Sequence, residues 1–117
     1  MHTGLSTSLI NSVRQDGKKY HGSLLTVRYL ESEEYRYSPV ISKKYGNAAK
    51  RNRVKRLIRE AMRNNRGSFP SGMYIIYVNR PCEEFSYHAA VEELRSVIGI
   101  MVEKKGRTTH ARMEETS

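Results

Sequence analysis

Val54, Leu57, Ile58, Ala61 and Met62 recur at the three- and four-residue steps of one helical face. That period predicts an amphipathic α-helix, with Asn47 after Gly46 as its N-cap. A second helical stripe runs through Tyr87, Ala90, Val91, Leu94, Val97, Ile98 and Met101, with Ser86 as its cap. A short first helix is expected over residues 8–15, capped by Ser6 or Thr7, with Leu9, Ile10 and Val13 buried and Asp16-Gly17 ending it. Between these helices the pattern changes. "SLLTVRYLE" (residues 23–31), "YRYSPVIS" (residues 35–42) and "MYIIYVN" (residues 73–79) read as strands. Pro39 cannot donate to a ladder, so its strand should lie at a sheet edge or carry a bulge. The predicted order is αββαβα, a small sheet with helices packed on it. The chain is expected to form one domain over residues 1–103, followed by a polar, disordered tail over residues 104–117.

Charge changes this picture. Of 21 basic and 12 acidic residues, ten Lys or Arg and a single acid, Glu60, lie in residues 43–66; eleven of each sign remain elsewhere. The formal net charge of +9 therefore resides in the segment that builds the central helix. At ~100° per residue, Asn52, Arg56, Arg59 and Arg63 fall opposite the apolar stripe, with Lys55, Arg53 and Glu60 at the flanks. Like charges three and four apart repel. Such a helix makes sense when something anionic lies against it. Lys43, Lys44 and Asn47 add a basic loop at the helix N-terminus, where free N–H groups favour phosphate. A basic run is most often a solvated helix face, but concentration of the whole net charge argues for a polyanionic partner. A membrane or a protein groove is the weaker alternative, because the apolar face is needed for the core and carries no bulky aromatic anchor.

Protein-borne catalysis is not indicated. His2, His21, His88 and His110 are scattered, and none has metal-ligand spacing with Cys82. Cys82, the one cysteine, permits no internal disulfide and fits a reducing, cytoplasmic location. The carboxylate pairs Glu33-Glu34, Glu83-Glu84 and Glu92-Glu93 fall in expected loops or on a helix exterior. No apolar run approaches the ~20 residues that span a bilayer, and the N-terminus does not read as a secretory signal.

The stretch "SKKYGNAAKRNRVKRLIREAMR" resembles the Arg-Asn-Arg signature of the protein subunit of bacterial ribonuclease P. The matching residues are Ser42, Lys43, Lys44, Gly46, Asn47, Ala48, Arg51, Asn52, Arg53, Lys55, Arg56 and Arg59. The resemblance extends more weakly to the order of elements across nearly the whole chain. It implies an α+β sandwich whose mixed sheet carries a left-handed βαβ crossover through the basic helix. It implies two partners, a catalytic RNA and precursor tRNA, with no membrane and no obligate protein partner. The RNA would remove the 5′ leader, using Mg²⁺ bound mainly by the RNA and its substrate. Lys43, Lys44, Asn47, Lys50, Arg51, Asn52, Arg53, Lys55, Arg56, Arg59 and Arg63 would face the RNA. A cleft between the first helix and the sheet would hold the leader.

In that cleft the chain departs from the family pattern. No Lys or Arg precedes Asn11, and Ile10 stands where the family carries a Phe. Further aromatic positions correspond to Arg14 and to Val27 or Arg28. Tyr20, Tyr29, Tyr35 or Tyr37 are candidates to supply the missing ring. Asn79 stands where the family often has Arg. A structural RNA-binding protein of ribosomal type, with no role in catalysis, is the alternative reading.

Overall fold

A computed structural model describes residues 4–116, with side chains through Lys104. Its elements are α1 (Thr7–Asp16), β1 (Lys18–His21), β2 (Leu25–Glu31), β3 (Tyr35–Val40), α2 (Ala48–Asn64), β4 (Gly72–Val78) and α3 (Tyr87–Thr116). Short 3₁₀ turns at Lys43–Tyr45 and Cys82–Glu84 lead into α2 and α3. The sequence missed β1. Lys18-Lys19-Tyr20-His21 is short and mostly polar, as suits a charged edge strand that resists further pairing. The tail expected to be disordered from Lys104 lies almost wholly beyond the last described side chain, and the backbone of α3 runs to Thr116. His2 and the side chain of His110 also lie outside the described residues.

The four strands are ordered β1-β2-β4-β3. β1 and β4 pair antiparallel with β2, and β3 pairs parallel with β4, so the sheet is mixed. α2 is the crossover between the parallel pair. Pro39 lies on β3, an edge strand, where a residue without an N–H is tolerated.

Strand alternation gives the sheet two different faces. Leu25, Val27, Tyr29, Tyr37, Tyr74, Ile76 and Val78 point to the side covered by α2 and α3. There they meet Val54, Ile58, Ala61 and Met62 of α2 and Ala90, Leu94, Val97, Ile98 and Met101 of α3. Each fully buried Leu, Ile or Val in this layer contributes ~1.5–3 kcal/mol. Tyr87 is the exception in the expected α3 stripe. It is exposed, and its hydroxyl accepts a hydrogen bond from Asn64 Nδ2 at 2.9 Å. The opposite face is shaped by α1, which buries Val13; Thr26, Arg28, Ile75 and Tyr77 alternate onto that side.

Two glycines are set by space. A Cβ on Gly17 would stand 2.5 Å from the Val13 carbonyl oxygen and 2.8 Å from that of Tyr29, so the α1–β1 turn closes only without a side chain. Gly72 has φ +149°, and its missing Cβ leaves room for the Tyr29 ring.

Candidate nucleic-acid interface

Ser42 starts the basic segment by accepting the Lys44 N–H on its hydroxyl, which forms the 3₁₀ turn. Asn47 then accepts the Lys50 N–H at 2.9 Å and opens α2 as its N-cap. The expected helix and cap are both present. Lys43, Lys44, Asn47, Lys50, Asn52, Arg53, Arg56, Arg59 and Arg63 are exposed, and Arg51 and Lys55 are half-buried. All eleven positions lie on one continuous stretch of turn and helix.

Their electrostatic situations divide into two groups. Near the N-terminus of α2, protein groups engage four of the cations, Lys44, Lys50, Arg51 and Arg53. Lys50 Nζ bonds to Glu83, and that bond and charge raise the lysine pKa and lower that of Glu83. Arg51 Nε donates to the Gly46 carbonyl at 3.1 Å, and Arg53 Nη1 to that of Phe85 at 3.3 Å. Lys44 Nζ sits 5.0 Å from the Tyr45 ring centroid. In the C-terminal half, Arg56, Arg59 and Arg63 have no protein acceptor among the described residues. Arg56 and Glu60, four residues apart, do not pair. Three solvated guanidinium groups along one helix face make a row of planar forks matched to phosphate oxygens.

The second expected site lies on the other side of the sheet. Arg28 is half-buried there, and its Nη1 donates to the Arg14 carbonyl at 2.9 Å, near the C-terminus of α1. The Arg28 Nε is buried without a partner. Ile10 is half-buried and Arg14 exposed on α1. Val27 does not belong to this cleft. It is fully buried and pairs in register with Ile76 on the α2–α3 side, because its neighbour Arg28 takes the α1 side. The same alternation removes Tyr20, Tyr29, Tyr35 and Tyr37, which all face the α2–α3 side. The aromatic ring that does reach the α1 side is Tyr77, in register with Thr26. Lys19 Nζ lies 5.9 Å from the centre of the Tyr77 ring. Strand alternation alone would have found Tyr77. Lys19 depended on β1, which the sequence pattern did not reveal. Asn79 ties the end of this face together, donating to Thr26 Oγ1 at 2.8 Å and to the Gly22 carbonyl at 3.2 Å.

Among the described residues, no group of three or more His, Cys, Asp or Glu side chains is placed to hold a metal ion. No helix there is long and apolar enough to cross a membrane. Cys82 is buried, and burial raises its thiol pKa, with Glu83 adding to the effect.

A four-stranded mixed sheet with an arginine-rich crossover helix defines a small α+β protein built to meet a polyanion. Comparison with known proteins narrows the class. The chain belongs to the Ribonuclease P family, whose model matches residues 5–110. The family's protein component is the accessory subunit of an RNA-based endoribonuclease. The Ribonuclease P protein component of Coprothermobacter proteolyticus is 36% identical over 85 residues, covering 70% of this chain and 71% of the relative. That of Bacillus cereus strain AH187 is 33% identical over 99 residues, covering 81% and 83%. The fold agrees with the Staphylococcus aureus RNase P protein at TM-score 0.76 and 20% identity, over 86% of this chain and 96% of that one. The Thermotoga maritima protein matches at TM-score 0.69 and 23% identity, over 76% and 87%.

Proposed function

We propose that the α2 surface docks the ribonuclease P RNA and that the cleft beneath α1 receives the 5′ leader of precursor tRNA. The observation that carries this reading is the row of Arg56, Arg59 and Arg63, exposed and without protein acceptors among the described residues, on the segment that holds the net charge. The chain's own work is then positional. Arg51 and Arg53, held by backbone carbonyls, fix the turn and helix start against the RNA backbone. The free arginines neutralise phosphates and lower the repulsion between catalytic RNA and substrate. Hydrolysis belongs to the RNA, with Mg²⁺ held mainly by RNA and substrate. The single free thiol fits action in the cytoplasm.

Reconstitution at low Mg²⁺ tests this reading. Purified protein, a bacterial ribonuclease P RNA and a precursor tRNA labelled at its 5′ end are combined. The protein alone should be inert and should restore leader removal by the RNA. Binding to the RNA without any gain in cleavage would instead favour the structural RNA-binding role.

A further inference from the structure

A groove of about 610 Å³ opens between α2 and the edge strand β3. Tyr35 and Tyr37 of β3 lie along one side; Arg56, Arg59 and Arg63 of α2 lie along the other, and Arg66 borders it beyond the helix. Glu60 is the one acid in the lining. Arg66 and the two tyrosines lie outside the Arg-Asn-Arg stretch, so docking of that stretch on an RNA does not account for them.

The Tyr35 ring is held from several sides. Its hydroxyl donates to the Met62 carbonyl at 2.5 Å. Edge-on packing joins it to Tyr37 and Tyr74, with centroid separations of 5.5 and 5.8 Å. Burial raises its pKa further above neutrality, where a tyrosine hydroxyl is a donor in any case. The exposed residue Arg66 brings its guanidinium to 5.5 Å from the ring centroid. A fixed, half-buried aromatic ring with a planar cation on it is a stacking platform. A nucleobase is also planar and can occupy the same place, with the long Arg66 side chain moving to its outer side. The neighbouring arginines then lie within the same groove as the nucleotide's phosphate.

We infer that this groove takes one unpaired nucleotide of an RNA, its base on Tyr35 beneath Arg66 and its phosphate with the arginines of α2. The inference rests on the RNA-docking reading and adds a preference. A base inside a duplex already has both faces stacked and cannot reach Tyr35, whereas a looped or bulged base can. The ligand class is therefore single-stranded RNA, whereas the row of arginines alone would accept any phosphate backbone.

The test uses the whole protein with ring-labelled tyrosine, observed by NMR. Hexa-adenylate is the single-stranded probe, and an RNA duplex of equal phosphate count is the control. Binding of the ribonuclease P RNA is measured alongside. Hexa-adenylate should shift the Tyr35 ring resonances strongly, and the duplex should not. Tyr35→Leu should weaken hexa-adenylate binding at the groove, read from the neighbouring Tyr37 ring, by roughly fivefold to a hundredfold, with little effect on the duplex, and Tyr35→Phe should rescue it. Arg66→Gln should also weaken it, which keeps the test decisive should Tyr35→Leu fail to fold. Unmoved Tyr35 resonances at saturating hexa-adenylate, with ribonuclease P RNA still bound, would overturn the inference and leave the docking reading standing. Equal effects of both probes on Tyr35 would overturn it too. Loss of binding to both hexa-adenylate and the ribonuclease P RNA would overturn both.

Discussion

Lys19 Nζ stands 5.9 Å from the centre of the Tyr77 ring, spanning the β2 strand that separates their own strands. This pair puts an aromatic surface and a positive charge on the α1 side of the sheet, where Ile10, Arg14 and Arg28 provide none of the rings that the family pattern leads one to expect. On the proposed reading of this cleft, Tyr77 would stack a leader base and Lys19 would meet its phosphate. Tyr77→Ala should reduce the holoenzyme's preference for leader-bearing precursor over mature tRNA by about 1–3 kcal/mol, the usual worth of one base–aromatic stack. Fluorescence-detected binding of both RNAs to the assembled holoenzyme reads this directly. An unchanged preference in a folded variant would remove Tyr77 from the leader site. Ile10→Phe should act in the opposite direction, restoring a ring on α1 and raising the preference.

The two halves of α2 should respond differently to substitution. Arg56→Gln removes a solvated cation with no protein acceptor, so stability should hold within about 0.5 kcal/mol. Its affinity for the ribonuclease P RNA should fall, and the log–log salt slope should become shallower by ~0.7–0.9 for each phosphate no longer neutralised. Arg53→Ala also takes away the donor to the Phe85 carbonyl and should cost ~1 kcal/mol of stability as well. Urea unfolding beside salt-dependent binding separates the two effects. Equal salt slopes for wild type and Arg56→Gln would mean that Arg56 does not face the RNA.

Glu93 shows what the sequence could not disclose. Its pairing with Glu92 on a helix reads as ordinary surface charge. In the structure its Oε2 accepts the backbone N–H of Leu24 at 2.7 Å and of Leu25 at 3.1 Å, fastening α3 to the β1–β2 turn. Glu93→Ala leaves both donors without that acceptor and should destabilise the fold by ~1–3 kcal/mol, measured by urea unfolding. Glu92, which meets the exposed His88 one helical turn away at 3.1 Å, should tolerate the same change within about 0.5 kcal/mol.

That contrast describes the reach of the sequence more generally. The stripes of α2 and α3 and the Asn47 cap were legible because helix period and capping are local. Three of the four strands were legible for the same reason, and Pro39 narrowed its strand to an edge or a bulge, of which the structure shows the edge. β1 was not, because its four residues gain their order from pairing with β2. Within the basic segment, residue identity showed which side chains carry charge. It did not show which of them the protein's own carbonyls and carboxylates already engage. The leader cleft was the least legible, because assigning Val27 or Arg28 to it requires knowing which face of β2 looks toward α1. One step along the strand reverses the answer.

Cys82 offers a chemical probe of the crossover's surroundings. The thiol is buried in the core beside the start of α2, and Gly46 passes so close that a Cβ there would stand 3.0 Å from Sγ. Burial, with help from Glu83, lifts its pKa above the ordinary thiol value. A raised acid pKa means that the folded state holds the proton more tightly than the unfolded chain does. The stability linked to this thiol is therefore fully present below the unfolded pKa, ~8.5, and is lost as pH rises through the higher folded value. At pH 8 the native thiol should react with an alkylating reagent far more slowly than the urea-unfolded chain. The native rate should climb only at more alkaline pH. Mass spectrometry of iodoacetamide-treated protein over a pH series measures both. A native rate equal to the unfolded one at pH 8 would show that Cys82 is open to solvent and that the packing at the start of α2 is not closed over it. Gly46→Ala should raise the native rate, because the added methyl pushes the thiol and the start of α2 apart.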